Sequence, residues 1–572
     1  MSSNACNWAL YAEARSFGGS LVALILFGFL LGCGSVPQQG REASDQGEPV
    51  SARPFVTTWM VEAAGDSIII PTSEIARYDF RVDWGDGTTE RITGIDPDPT
   101  HVYEAPGTYT VAIQGTFPHL FLNAPPIHSE DWVRANAARL RSIEQWGTVR
   151  WESMAAAFEG AVNVVHNATD RPDLRRVRSM ESMFEGARAF NGVIGDWNVS
   201  VVSNMSGLFE NTPTFNQPIG DWDVSSVTDM THMFFFATAF DQDLSGWDVS
   251  SVQSMSGMFG VARAFNHDIG GWDTGNVTSM RSMFLIAGAF DQDIGDWDVS
   301  RVTNMVDMFH GATVFNQDLS DWDTGQVGDM SGMFANTDRF NQDIGTWDVS
   351  AVTRMNRMFR KAKAFNQDVG RWDVSGVVSM ESMFAEAGAF DQDLSGWQIA
   401  SVRAFEKAPS YVWVDDCGNP FAKKQGPSGP PPWTGSVESD SGSSNPEQES
   451  GPEGREPSAD TASATTAEPE KPREDKPKFS EESVQVHCSP RFERERDGKR
   501  HGFLVGAELS PRHYDALLNS WGRQPVQPDL VFHAGRSQYT TAARPARQRL
   551  IDEHGWQIWD GGLCECEDGR EP

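Results

Sequence analysis

Residues 240–264 read FDQDLSGWDVSSVQSMSGMFGVARA, and the same pattern returns on both sides of this stretch. Trp holds 197, 222, 247, 272, 297, 322, 347, 372 and 397, a step of 25 without a slip. Phe holds 190, 215, 240, 265, 290, 315, 340, 365 and 390. Met recurs from Met180 to Met380 at the same step, and each is followed four residues later by a second Phe. Trp146, Met154 and Phe158 keep the Trp-to-Met spacing in degenerate form, after which Val165 and Pro172 stand where Phe and Trp are due. Repetition of this regularity specifies stacked structural units.

Stacking follows from size. A 25-residue unit cannot enclose a core by itself, because much longer chains are already marginal. Each unit presents Phe, Ile or Leu, Trp, Val, two Met, Phe and Ala at fixed places, so identical neighbours above and below bury them in one continuous core. Within the unit, the segment around Gln242, Asp243 and Leu244 suits a short strand. Val252, Met255, Met258, Phe259 and Ala262 are spaced by threes and fours, which suits a helix or 3₁₀ turn, with Ser250 placed to cap it. One strand and one helical turn per unit is the plan of leucine-rich repeats. The units resemble those of BspA-like leucine-rich-repeat surface proteins, a family also abundant among mycoplasma lipoproteins. That resemblance implies surface exposure, binding and adhesion, and no catalysis. The array is assigned to residues 123–408.

Residues 54–122 alternate apolar and polar positions in short runs, as in Phe80-Arg81-Val82-Asp83-Trp84 and Tyr109-Thr110-Val111-Ala112-Ile113. With Gly85-Asp86-Gly87 and His101-Val102-Tyr103 between them, the set resembles polycystic-kidney-disease (PKD) repeats, which are seven-stranded immunoglobulin-like β-sandwiches. Asp83 and Asp86 admit two readings, hairpin-turn chemistry or part of a calcium site, although calcium asks for six to eight oxygens. The domain reads as a spacer or secondary adhesive module.

The two ends carry different signals. Residues 16–32 are uncharged, and 21–31 are almost wholly apolar, the length of a signal peptide's apolar region rather than of a spanning helix. Leu30-Leu31-Gly32-Cys33 resembles a bacterial lipobox, which implies a signal peptide over 1–33 and diacylation of Cys33. Gly34, not Asp, follows, which by analogy with Gram-negative lipoproteins implies the outer membrane. Residues 34–53 read as a flexible tether. Beyond the array, residues 409–487 are rich in Pro, Gly, Ser and Glu, too apolar-poor to fold alone. Residues 488–572 read as a small α/β cap, with helices over 509–521 and 543–554 and a strand over 556–558. The fold class expected is multidomain: a PKD/immunoglobulin-like β-sandwich, an α/β leucine-rich-repeat-like solenoid, and a cap folded back across the insertion. A cap is needed because the last unit otherwise exposes its core.

Charge and motifs bound the chemistry. With 46 Lys and Arg against 80 Asp and Glu, the formal charge of −34 argues against a nucleic-acid partner. No G-x-S-x-G, H-E-x-x-H, phosphate loop or paired C-x-x-C occurs, so no catalytic residue is assigned, and Glu152 beside Trp151 reads as solvent-facing. Cys417, Cys488, Cys564 and Cys566 follow the signal region; outside the cytoplasm they pair in any of three ways or stay free, and the short Cys-Glu-Cys spacing fits zinc poorly. Two rows of Asp, one running from 243 to 393 and one from 223 to 373, either cap turns or form a calcium ladder. No metal ligand is assigned, and calcium is the one cofactor the rows admit. The Trp row reads as core before it reads as a glycan-stacking platform. Binding positions belong where units differ, such as His232, Phe235, Phe236, Arg281 and His310. The expectation is a lipid-anchored adhesion protein whose extended repeat surface contacts an extracellular protein or polysaccharide. A self-associating envelope protein stands second, and a hydrolase accessory third.

Overall fold

The computed structural model describes residues 52–74, 76–95, 97–122, 130–405, 411–415, 490–494 and 502–564. The segment expected as a signal peptide, with Cys33, all of the expected tether but residues 52 and 53, and most of the expected insertion lie outside the described residues. Among the described residues, no helix is long and apolar enough to cross a membrane.

Six strands occupy the first domain: β1 (Phe55–Val61), β2 (Ser67–Ile69), β3 (Arg77–Asp83), β4 (Thr89–Ile95), β5 (Thr100–Val102) and β6 (Gly107–Thr116). Strict alternation in β1 and β3 buries one face and wets the other. The described residues of this stretch hold six strands where seven were expected. β4, β3, β6 and β1 lie side by side, β2 and β5 pair separately, and the large sheet then continues into the repeats. Helix α1 (Glu130–Arg139) leads into β7 (Leu140–Gln145), which pairs antiparallel with β1, and β8 (Val165–His166) adds parallel to β7. Phe55 seals this junction, stacking on Trp146 at 5.7 Å and meeting Trp151 edge-on at 5.1 Å. The Asn136 amide clamps β2 from the helix, accepting from Ile69 N and donating to Ile69 O.

The repeats contain neither the expected strand nor a helix. One parallel bridge joins each coil to the next, as at Ser254 and Ser279, and it sits just before the first Met rather than after the Phe. Where a strand was expected, side chains replace the backbone ladder. Asn216 Oδ1 accepts the N–H of Asp241 at 2.9 Å, and Asp241 in turn accepts that of Asn266 at 3.2 Å. The segment expected to be helical is a chain of turns. Met258 N–H bonds Met255 O, Gly260 N–H bonds Gly257 O and Ala262 N–H bonds Phe259 O, each an i→i+3 closure. The intervening N–H groups of Met255, Gly257, Phe259 and Val261 all point forward, to the carbonyls of Ser279, Arg281, Met283 and Leu285. Positive φ at Gly257 (64°) and Val261 (59°) makes this possible by turning alternate peptides along the stack. The inward side chains still fall at spacings of three and four, which is why the segment imitates a helix in sequence.

Inside the stack each ring lies on its copy: Phe259 on Phe284 at 5.8 Å, Phe265 on Phe290 at 6.1 Å, Trp272 on Trp297 at 6.3 Å. Each Trp from 222 to 397 also donates its indole N–H to a carbonyl of the preceding coil, Trp272 to Leu244 O at 3.1 Å. One buried apolar cluster runs without a break from Phe55 to Trp556.

The array does not end at Phe405. Two strands, β9 (Tyr411–Asp415) and β10 (Pro490–Arg494), pair antiparallel across the insertion. The chain then resumes the interrupted coil: Phe384 N–H donates to Phe503 O and Glu386 N–H to Val505 O. Helix α2 (Pro511–Trp521), strand β11 (Val531–His533), helix α3 (Arg544–Asp552) and strand β12 (Gln557–Trp559) complete the end, β11 and β12 being parallel. Ser510 is at the start of α2 but makes no side-chain cap bond; its N–H instead continues the Asn/Asp ladder by donating to Asp391 Oδ1 at 2.8 Å. Gln524 reaches Trp397 O, Gln527 reaches Ala400 O, and Phe405 packs among Phe503, Trp521, Phe532 and Trp556. The folded-back cap is therefore seated on the last coil.

Candidate functional site

In the turn ladder, residues at the places of Met255, Met258, Phe259 and Ala262 point inward and are buried. Those at the places of Ser256, Gly257, Gly260 and Val261 lie outside the main core, several of them buried against one another, and the units differ there. The outer face is a strip whose chemistry changes along the array.

At its start stand Glu159, Glu185 and Glu210, one per coil. Burial, with the charges of Glu210 and Glu159, pushes the Glu185 carboxyl up to about 8, against an opposing bond from Ser182. Next comes His232, whose Nδ1 lies 3.3 Å from Glu210 Oε2 and whose ring lies 4.8 Å from that of Phe235. Phe235, Val261 and Leu285 form a second apolar cluster outside the main core, with Phe236 and Ile286 half-buried against it. This cluster needs glycine in the following coil. A Cβ on Gly260 would lie 2.4 Å from the Phe235 ring, and one on Gly257 would lie 2.2 Å from the His232 ring.

Beyond the apolar segment, Asp307 Oδ1 bonds His310 Nδ1 at 2.8 Å and Asn336 Nδ2 meets His310 Nε2 at 2.8 Å, which fixes both ring nitrogens. Arg357, Arg360 and Lys361 follow, the last with its ammonium 3.7 Å from Glu386. The strip thus passes from stacked carboxylates, through an aromatic and aliphatic centre, to a basic end. His232, Phe235, Phe236, Arg281 and His310, singled out in the sequence, all lie on it, Arg281 in the row of Ser256 and Val306. Sequence reading missed the Glu row and the two glycines, whose signal was a break in chemistry at aligned positions.

The other candidates are committed to structure. The Trp rings are buried in the core with their N–H groups bonded, so they offer no face to a sugar. The Asp rows close turns within their own coil: Asp248 Oδ1 accepts Ser250 N–H at 3.1 Å and its hydroxyl at 2.6 Å, and these bonds hold the carboxyl below its usual range. Asp243 and Ser245 repeat the arrangement. In the first domain Asp83 accepts Gly85 N–H. Asp86 loses stability to burial, but the Thr88 hydroxyl, His101 and the Thr88 N–H together hold it down at about 2. Trp84, beside them, is buried and stacked on His101 at 5.0 Å. Among the described residues no group of three or more His, Cys, Asp or Glu is arranged to hold a metal. Glu152 is exposed, 3.6 Å from Arg176.

Three overlapping stretches, residues 152–269, 242–338 and 316–411, match the model of a family described as mycoplasma protein of unknown function, DUF285. No curated protein and no solved structure matches the chain. The chain is a multidomain, sheet-rich repeat protein, with few helices and no closed barrel among the described residues.

Proposed function

We propose that the chain is a cell-surface lipoprotein, acylated at Cys33 in the outer membrane, that binds an extracellular protein or polysaccharide along its repeats. In this reading the array is a leucine-rich-repeat-like solenoid of the BspA-like kind, and the first domain is a PKD-like stalk. Binding is by extended contact, without catalysis or cofactor. The observation that carries the proposal is the strip: a stack built on near-identical units departs from identity on one outer face, around His232, Phe236 and Ile286. Phe236 and Ile286 are half-buried against the cluster of Phe235, Val261 and Leu285, and aromatic residues ringed by charge are what recognition surfaces use.

The test uses soluble protein spanning residues 52–572 and the double variant Phe236→Ser/Ile286→Ser. Retention of the parent by heterologous cells or arrayed glycans, lost in the variant while thermal unfolding stays unchanged, is the expected result. Equal retention of both would remove the strip from the function. Cys33→Ser in the full chain should release it from the membrane fraction.

A second reading, self-association in the envelope, is favoured by one feature. In and after β12, Trp559 (50%) and Leu563 (42%) are exposed large apolar side chains. Concentration-dependent assembly without retention by cells or glycans would select it.

A further inference from the structure

We infer that the outer face of the first sheet carries a carboxylate-binding groove, built around Arg81, that takes a uronate residue of an acidic polysaccharide. Strand β3 buries Tyr78, Phe80 and Val82 and turns Arg77, Asp79, Arg81 and Asp83 outward. In the register Arg81 faces Arg91 of β4 on one side and Gln114 of β6 on the other. Two guanidinium groups directly opposite each other repel unless an anion answers them. Asp79 answers only one: its two oxygens take Arg91 Nε at 3.0 Å and Nη2 at 2.9 Å. Asp83 is turned to the N–H of Gly85. Among the described residues the Arg81 side chain makes a single polar contact, Nη2 to the Thr89 hydroxyl at 3.0 Å, and no ion pair. In a chain of formal charge −34 this cation stands without an acid of its own.

The same side chains line a groove of about 500 Å³, within the roughly 300–1,000 Å³ of small-ligand sites. Thr89 holds one corner of the guanidinium and steadies its plane, leaving other N–H groups to grip a carboxylate through two parallel bonds. Because the Thr89 oxygen accepts from Arg81, its own proton is left to donate. Gln114 gives Nε2–H to Ala52 O at 2.6 Å, which leaves its Oε1 to accept. A cationic fork, a hydroxyl donor and an amide acceptor side by side are what a sugar acid with neighbouring hydroxyls asks for. The one apolar residue in the lining, Phe80, is 1% exposed, so the methylenes of a polypeptide carboxylate find no counterpart. Glu90 borders the groove but faces the buried Val82 in the register, so it belongs to the other side of the sheet. The groove is separate from the strip on the repeats and does not depend on its function.

The experiment measures binding of the purified full chain to polygalacturonate and to alginate, with methyl-esterified polygalacturonate, dextran sulfate and poly-glutamate alongside. The parent should bind a uronate polymer and should not bind the methyl ester, dextran sulfate or poly-glutamate comparably. Arg81→Gln should weaken binding by about ten-fold or more, since it removes hydrogen bonds to a charged group. Arg77→Gln, the same loss of charge on the same face but outside the groove, should change it by less than about two-fold. Phe236→Ser/Ile286→Ser should leave it unchanged. Failure to bind either uronate polymer would overturn the inference, and so would equal weakening by Arg81→Gln and Arg77→Gln. Equal binding of dextran sulfate would reduce the site to ion exchange, equal binding of poly-glutamate would make its ligand a polypeptide, and loss in the strip variant would move it to the repeats; each rejects the inference.

Discussion

The N–H of Phe384 donates to the carbonyl of Phe503 at 3.0 Å, the bond that Phe259 makes to Met283 within the uninterrupted array. Phe503 therefore occupies a repeat position although its own segment shows no repeat signature. Leu504 and Ala507 follow the same pattern, Ala507 N–H closing on Leu504 O as Ala262 closes on Phe259, and Gly506 keeps the positive φ of Val261. The cap is a continuation of the coil, delayed by an insertion.

That continuity predicts what happens when the insertion is removed. Joining Glu406 directly to Gly502 restores a coil of ordinary length, so this variant should fold with its cap seated. It should gain stability, because closing a flexible loop of this length costs about 4 kcal/mol. Ending the chain at Phe405 instead strips the cover from a buried ring and should give aggregation. Urea unfolding of the three chains checks both outcomes.

The indole bonds give a second prediction. Trp272→Phe keeps an aromatic ring in the stack but leaves the Leu244 carbonyl without its donor, at a cost of about 1–3 kcal/mol. Trp272→Ala adds a cavity and should cost about 3–5 kcal/mol. Because each coil touches only its neighbours, hydrogen exchange should accelerate most in the flanking coils.

These effects show what the sequence made legible. The period, the inward rows and the need for a cap followed from residue identity alone, because stacking forces every coil to repeat its buried positions. The backbone path did not. Met255, Met258, Phe259 and Ala262 have helical spacing, yet positive φ at Gly257 and Val261 converts the segment into forward-pointing peptides, and the non-Gly residues that adopt this φ carry no mark in the sequence. The strand expected near Gln242 fails because Asn216 and its equivalents bond the next coil by side chain. The pairing of β1 with β7 joins segments assigned to different domains, a contact that local pattern does not reveal. At the site, the variable aromatics were visible, but that Glu159, Glu185 and Glu210 stand in one row required the register.

Glu185 makes the stability depend on pH. Its folded-state carboxyl is raised to about 8 from an ordinary 4.5, so the fold favours the protonated form. The associated stability is complete below the ordinary value and is lost as pH rises through about 8. Melting temperature should therefore fall between pH 5 and pH 9, by on the order of several degrees. Glu185→Gln, which cannot ionise, should flatten the decline and melt higher than the parent at pH 9. An unchanged slope would mean that the carboxylate row is relaxed by solvent.

The outer apolar cluster predicts a compensating pair. Gly260→Ala drives a methyl into the Phe235 ring, where its Cβ would come within 2.4 Å of two ring carbons. The ring is buried against Val261 and Leu285, and overpacking of this kind costs about 1–3 kcal/mol. Phe235→Ala removes the obstacle, so the double variant Gly260→Ala/Phe235→Ala should be more stable than additivity of the single variants allows. Gly257→Ala should behave worse, because it meets the His232 ring and must also hold a positive φ of 64°. A double-mutant cycle in urea measures the coupling. Additive values would show that Phe235 leaves its place on the strip without cost, and the strip would then be a deformable surface rather than a built one.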